Sequence, residues 1–276
     1  MMSRPKIALF VSAFLLVPVW SAAMSAPANA TVAPAPSGRA IMDKVAETRK
    51  LAGSEAVVTM TIINAKGAQQ VRKLAMATKL YDGGKTEKRI YSFLEPADVK
   101  GTGVLTFDYA DKDDDIWVYL PALRKTRRIV SSKKSKSFMG SEFSYADLNI
   151  PKLAEFRYQV LREEKLGGVD CWVVETTPTS EKIAESEGYS KKTYWVAKAD
   201  YTIRKGLYYD LDGALLKELT SKDIKCLDPA NQRFRSMHME MVNKQNGRRS
   251  VFVSDKVVLS PNVKDELFTT RYLERV

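Results

Sequence analysis

The chain has 276 residues, with 44 lysines and arginines against 33 acidic residues and a formal net charge of +11. One histidine and two cysteines leave little material for a transition-metal centre or a histidine-based catalytic triad. The length suits one large domain or two small ones, and the basic balance favours anionic lipid headgroups, lipopolysaccharide or an acidic protein face over nucleic acid.

The predicted elements begin with an export leader. Arg4 and Lys6 precede an apolar run over residues 7–20 that only Ser12 and Pro18 interrupt, and Ala28-Asn29-Ala30 supplies a small-x-small cleavage pattern. The run is about 14 residues, short of the roughly 20 that a membrane span needs. Residues 1–30 therefore read as a cleavable signal peptide, and the mature chain is expected to be soluble in a bacterial periplasm. Residues 31–37, with Pro34 and Pro36 among small residues, read as a flexible linker, and residues 38–276 as the folded domain.

A helix is predicted over 38–52, with Ser37 as N-cap, Ile41, Met42 and Val45 on one face, and Gly53 as the stop. The period then changes to two. Strands are predicted near 56–63, 70–80, 89–94, 103–109, 115–120 and 126–130, and again near 156–165, 170–177, 191–197, 202–210, 215–225, 234–243 and 249–259. Gly167-Gly168, Asp212-Gly213 and Asn246-Gly247 give hairpin turns. Short helices are expected near 145–154 and 181–187, and a turn at 263–268. The fold class is thus mainly β with few helices, an antiparallel meander without alternating β-α-β units. Such a meander must manage its edges by closing into a barrel, folding into a sandwich or curling around its helices, and one amphipathic helix ahead of the strands favours the last, an open, strongly curved sheet with helices covering its concave face.

Catalytic groupings are sparse. His238 alternates with Met237, Met239 and Met241, so it faces away from them and toward solvent. Ser131-Ser132-Lys133-Lys134 has S-x-x-K spacing and Ser254-Asp255-Lys256 loosely echoes a second motif, but the K-T-G strand of the penicillin-binding enzymes is missing. The acidic run 111–115 lacks the glycine of an EF-hand and reads as a solvated turn. No cofactor and no metal site is expected. A hydrolase would have to draw on Asp115, Glu142 and Asp147. Cys171 and Cys226 are either a disulfide or two free thiols, since separation along the chain does not bring them into bonding range.

Apolar and aromatic side chains are the abundant feature. Leu105 and Phe107 alternate on one strand, Trp117 and Tyr119 on the next; with Met60, Met76, Met237 and Met239 they are the candidate lining of a lipid cavity. Phe138, Met139, Phe143 and Tyr145 are a candidate lid. Arg124, Lys125, Arg127, Arg128, Lys133 and Lys134 are either a solvated face or a docking patch for an anionic membrane or partner.

Two stretches carry a family resemblance. The first runs from Phe93-Leu94-Glu95-Pro96 and Lys100-Gly101-Thr102 through Trp117-Val118-Tyr119-Leu120-Pro121-Ala122-Leu123-Arg124-Lys125 to Ser137-Phe138-Met139-Gly140-Ser141 and Tyr145-Ala146-Asp147-Leu148. The second is Leu267-Phe268-Thr269-Thr270-Arg271-Tyr272-Leu273. Together they resemble the exported LolA-like group of outer-membrane lipoprotein-sorting proteins. The resemblance implies a half-closed barrel whose hydrophobic cavity carries lipid or lipoprotein acyl chains across the periplasm. It also implies an inner-membrane partner of the resistance-nodulation-division type and an outer-membrane acceptor. The rival expectation is a non-carrier accessory subunit of an envelope transport complex.

Overall fold

The computed structural model describes residues 35–150 and 152–275. The expected signal peptide and most of the expected linker, residues 1–34, lie outside the described residues. Helix α1 (Gly38–Thr48) comes first, with the Ser37 side chain accepting from the Ala40 amide at 3.2 Å. It stops four residues before the expected end. Gly53 instead opens a strand, packed so closely to the Ser260 carbonyl that a Cβ would lie 2.3 Å from it.

Six strands follow: β1 (Gly53–Ile63), β2 (Gln69–Tyr81), β3 (Thr86–Glu95), β4 (Gly103–Tyr109), β5 (Asp115–Leu120) and β6 (Lys125–Ile129). A long connection over residues 130–155 carries α2 (Tyr145–Leu148). The second half holds β7 (Phe156–Leu166), β8 (Val169–Pro178), α3 (Glu181–Glu187), β9 (Lys191–Ala197), β10 (Ile203–Tyr209), β11 (Leu215–Asp228), β12 (Arg233–Asn243), β13 (Arg249–Leu259) and α4 (Thr270–Leu273). All strands join one antiparallel sheet in the order β6-β5-β4-β3-β2-β1-β13-β12-β11-β10-β9-β8-β7.

The sheet is therefore two meanders rather than one. Its first and last strands pair at the centre, with Met60 opposite Phe252, and the open edges are β6 and β7. The chain must cross from one edge to the other, and residues 130–155 do so over the concave face. Both edges are charged, Lys125-Thr126-Arg127-Arg128 on β6 and Arg162-Glu163-Glu164-Lys165 on β7, which discourages pairing with a further strand.

The sheet curls around what it covers. The Phe138 ring lies 5.2 Å from Tyr91 on β3 and 6.2 Å from Phe252 on β13. Those strands are three positions apart, about 14 Å on a flat sheet, so a ring that touches both needs a bend. One continuous core joins Ile41, Met42 and Val45 of α1, Phe138 and Phe143 of the crossing segment, and inward residues from both wings of the sheet. The convex face has its own cover: Val263, Phe268 and Leu273 of the C-terminal segment pack on Ala77, Ile90 and Leu105. No helix among the described residues is long and apolar enough to cross a membrane.

Candidate functional site

Between α1, the crossing segment and the concave sheet lies a cavity of about 240 Å³. Its apolar wall comes from Met42 and Val45 on α1, Val58 on β1, Met76 on β2, Leu219 on β11, and Met239 and Met241 on β12. Two factors place these side chains. The helix turns its buried stripe toward the sheet, and strand alternation sends every second residue inward.

Some expected residues are here and others are not. Met76 and Met239 line the cavity; Met60 is wholly buried in the same core but filled in by packing. Met237 is buried on the same strand as Met239 but does not line the cavity. Leu105, Phe107, Trp117 and Tyr119 belong to the convex cluster beneath the C-terminal segment. The inward residues of β4 and β5 are their neighbours Val104, Ile116 and Val118. Both faces of these strands are covered, so hydrophobic alternation alone cannot say which is concave.

The expected lid is a pinned hairpin. Phe138 and Phe143 are almost fully buried, and the Phe138 amide donates to the Phe143 carbonyl at 2.7 Å. Met139 and Gly140 both take positive φ to make the turn. The Glu142 amide donates to Ser250 Oγ at 2.9 Å, Asn243 Nδ2 to Glu142 at 3.0 Å, and Arg72 to the Met139 carbonyl. Tyr145 starts α2, where Ser144 and Asp147 form a reciprocal capping box.

The basic stretch divides. Arg124, Lys125, Arg127, Arg128 and Lys133 are exposed on and beside edge strand β6, with Arg128 paired to Asp115. Lys134 is not on that surface: it is buried and paired with Glu187 at 2.8 Å. Asp114 likewise leaves the solvated turn, buried against Lys152 at 2.6 Å and Asn149 at 3.0 Å. Cys171 and Cys226 are free thiols. They sit on β8 and β11, three positions apart and thus about 14 Å across the sheet, well beyond the roughly 7 Å limit for a bridge. Of the residues a hydrolase would need, Glu142 and Asp147 hold the crossing segment in place and Asp115 holds Arg128.

Sequence reasoning missed the cavity's charged members. Glu87 and Arg89 share a parity on β3 with Tyr91 and Phe93, and Lys192 shares one on β9 with Tyr194 and Val196. Charged residues in phase with an apolar inward face were the available signal. Glu187 meets Lys134 and Lys192 at once, at 2.8 and 2.9 Å. Arg89 pairs with Glu87 and approaches Asp108 at 3.9 Å.

Burial, helped by the nearby Asp114 charge, pushes the Asp108 carboxyl up to about 7 despite Arg89 and the Ile150 amide. Because the folded value lies above the ordinary 3.8, folding favours the neutral acid. This contribution is fully present below pH 3.8 and disappears as pH rises through about 7. Asp108→Asn should therefore show a smaller loss of urea midpoint between pH 5 and pH 8 than the parent. Parallel pH profiles would contradict the assignment.

The comparisons with known proteins agree with this architecture. A family model described as an uncharacterized protein matches residues 85–275. An outer membrane lipoprotein-sorting protein domain from Vibrio parahaemolyticus is 32% identical, over 86% of this chain and 98% of its own, with a TM-score of 0.79. A DUF1329 family protein from Desulfovibrio piger is 28% identical, over 86% and 97% of the two chains, at a TM-score of 0.79. A LolA superfamily protein from Nitrosomonas europaea, 21% identical over 86% of this chain and all of its own at a TM-score of 0.66, shares the curved half-barrel fold. No curated protein matches the chain. With a third of its residues matched along nearly the whole Vibrio domain, this chain belongs to the family of outer membrane lipoprotein-sorting proteins.

Proposed function

We propose that the protein is an exported periplasmic carrier that holds an acyl chain, of a free lipid or a lipoprotein, in the concave cavity. The observation that carries this reading is the methionine-rich wall under α1. Met42, Met76, Met239 and Met241 are unbranched and polarisable, suited to a ligand without fixed shape. Each methylene moved from water into such a wall contributes about 0.8 kcal/mol. At about 240 Å³ the space is smaller than most ligand pockets, roughly 300–1,000 Å³, so one chain fits better than several. The pinned hairpin at 138–145 would bound the cavity, and a wider cargo would require it to move. The exposed Arg124, Lys125, Arg127, Arg128 and Lys133 offer a face for an anionic membrane or an acidic partner, such as an inner-membrane transporter or an outer-membrane acceptor.

Native mass spectrometry of protein purified without detergent should find lipid bound at one per chain. Ala46→Trp, which fills the cavity from the helix side, should remove that lipid while the circular dichroism spectrum stays unchanged. Lipid retained at full occupancy in the tryptophan variant would place it elsewhere. A parent protein always recovered empty would favour the accessory-subunit reading.

A further inference from the structure

One group of residues on the cavity wall is mainly cationic. Arg49 at the C-cap of α1, Arg89 on β3 and Arg235 on β12 all border the cavity, with Glu87 near all three. Glu87 is already engaged, accepting from Arg89 Nε at 3.1 Å. Arg89 spends its remaining reach on the Leu148 carbonyl and on Asp108. Among the described residues neither Arg49 nor Arg235 forms an ion pair or a side-chain hydrogen bond, and Arg235 Nη1 is sealed from solvent without a partner. Burial and the adjacent Arg49 pull the Arg235 guanidinium down to about 10, so it remains charged at neutral pH.

Three guanidinium groups thus share one fully ionised neighbour, Glu87, on a cavity wall that also carries Met76, Met239 and Met241. A buried cation without a counter-ion is costly. A protein gains nothing from that arrangement unless something anionic arrives. Guanidinium groups bind the oxygens of carboxylates and phosphates with paired, charge-assisted hydrogen bonds. Phe234 and Ser236 flank Arg235 on the cavity wall, and Met239 and Met241 continue the same strand, so a head held at Arg235 would have its tail run along the methionines.

We infer that Arg235, with Arg49 and Arg89, is the head-group site for a single-chain anionic amphiphile, carboxylate or phosphate, whose tail fills the rest of the cavity. This rests on the carrier reading and names its ligand class. The test is calorimetric titration with dodecanoate, dodecyl phosphate and neutral dodecanol. The parent should bind at least one of the two anions about ten- to a hundredfold more tightly than the alcohol, the range expected for hydrogen bonds to a charged group. The tighter anion identifies the source as fatty acid or phosphate ester. Arg235→Met should bring the anions down to the alcohol's affinity, leave dodecanol binding intact and raise the melting temperature of the ligand-free protein. Arg49→Met, at a partly exposed position, provides the same comparison should the first variant not fold. Equal affinity for acid and alcohol in the parent, or unchanged anion preference in a folded variant, would overturn the head-group site while leaving the carrier reading standing. If none of the three ligands binds, the carrier reading fails and the head-group site falls with it.

Discussion

Glu187→Gln is expected to destabilise the protein by about 3–5 kcal/mol, the usual range when one partner of a buried ion pair is removed. Glu187 has one carboxylate oxygen on Lys134 and the other on Lys192, and all three residues are buried. Glutamine keeps the shape but removes the charge, leaving two ammonium groups without a counter-ion. The two lysines hold the Glu187 carboxyl down to about 2 against the opposing effect of burial. Its stabilising contribution is complete above pH 4.5, the ordinary value, and is lost as pH falls through about 2. Lys134→Met should do less damage, since Glu187 keeps Lys192. For a domain of this size the glutamine change should lower the melting temperature by roughly 10 °C. A loss below about 1 kcal/mol would mean that water reaches the lysines and the pair behaves as a surface one.

The network has a mechanical consequence. Lys134 lies on the crossing segment, Glu187 ends α3 and Lys192 lies on β9, so one carboxylate ties the strap over the cavity to the far wing of the sheet. Severing it should loosen the strap at its entry before the sheet itself gives way. Hydrogen exchange of the 133–146 amides in Glu187→Gln, measured under native conditions, should rise well ahead of β1 and β13 exchange.

Phe138→Ala is the second large effect, at about 3–5 kcal/mol for deleting a buried phenyl ring. The ring is 1% exposed and meets Tyr91, Phe93, Tyr145 and Phe252 at centroid distances of 5.2, 6.4, 5.5 and 6.2 Å. Four aromatic neighbours held by β3, β13 and α2 cannot collapse into the space. Phe138→Leu keeps most of the volume and should lose about 1.5 kcal/mol or less. Urea denaturation of the two variants separates two pictures of the hairpin. A pinned strap predicts the large difference, whereas a lid that spends its time open would make both changes nearly neutral.

The sheet was legible because its strands announce themselves locally. On β2 and β3 alternation and turn residues set the elements within a few positions, and Gly167, Gly168 and Gly213 take the positive φ values that their hairpins need. The N-cap at Ser37 was equally local. The error on Leu105, Phe107, Trp117 and Tyr119 has a different origin. Alternation shows that a strand has two kinds of face, but β4 and β5 are covered on both, one by the hairpin at 138–145 and one by Phe268 and Leu273. The larger aromatics went to the convex side because the C-terminal segment lies there.

The amino-acid order by itself determined the strand-rich class, the opening helix and the family motifs, since each depends on residues a few positions apart. Tertiary structure decided which face became the hollow, that Phe138 and Phe143 of the hairpin are buried, that Lys134 and Asp114 are buried, and that Cys171 and Cys226 remain apart. It also gathered Arg49, Arg89 and Arg235 from positions far apart in the chain. The physical reason is that burial and charge pairing depend on what the folded chain lays over a residue, and no local period encodes that.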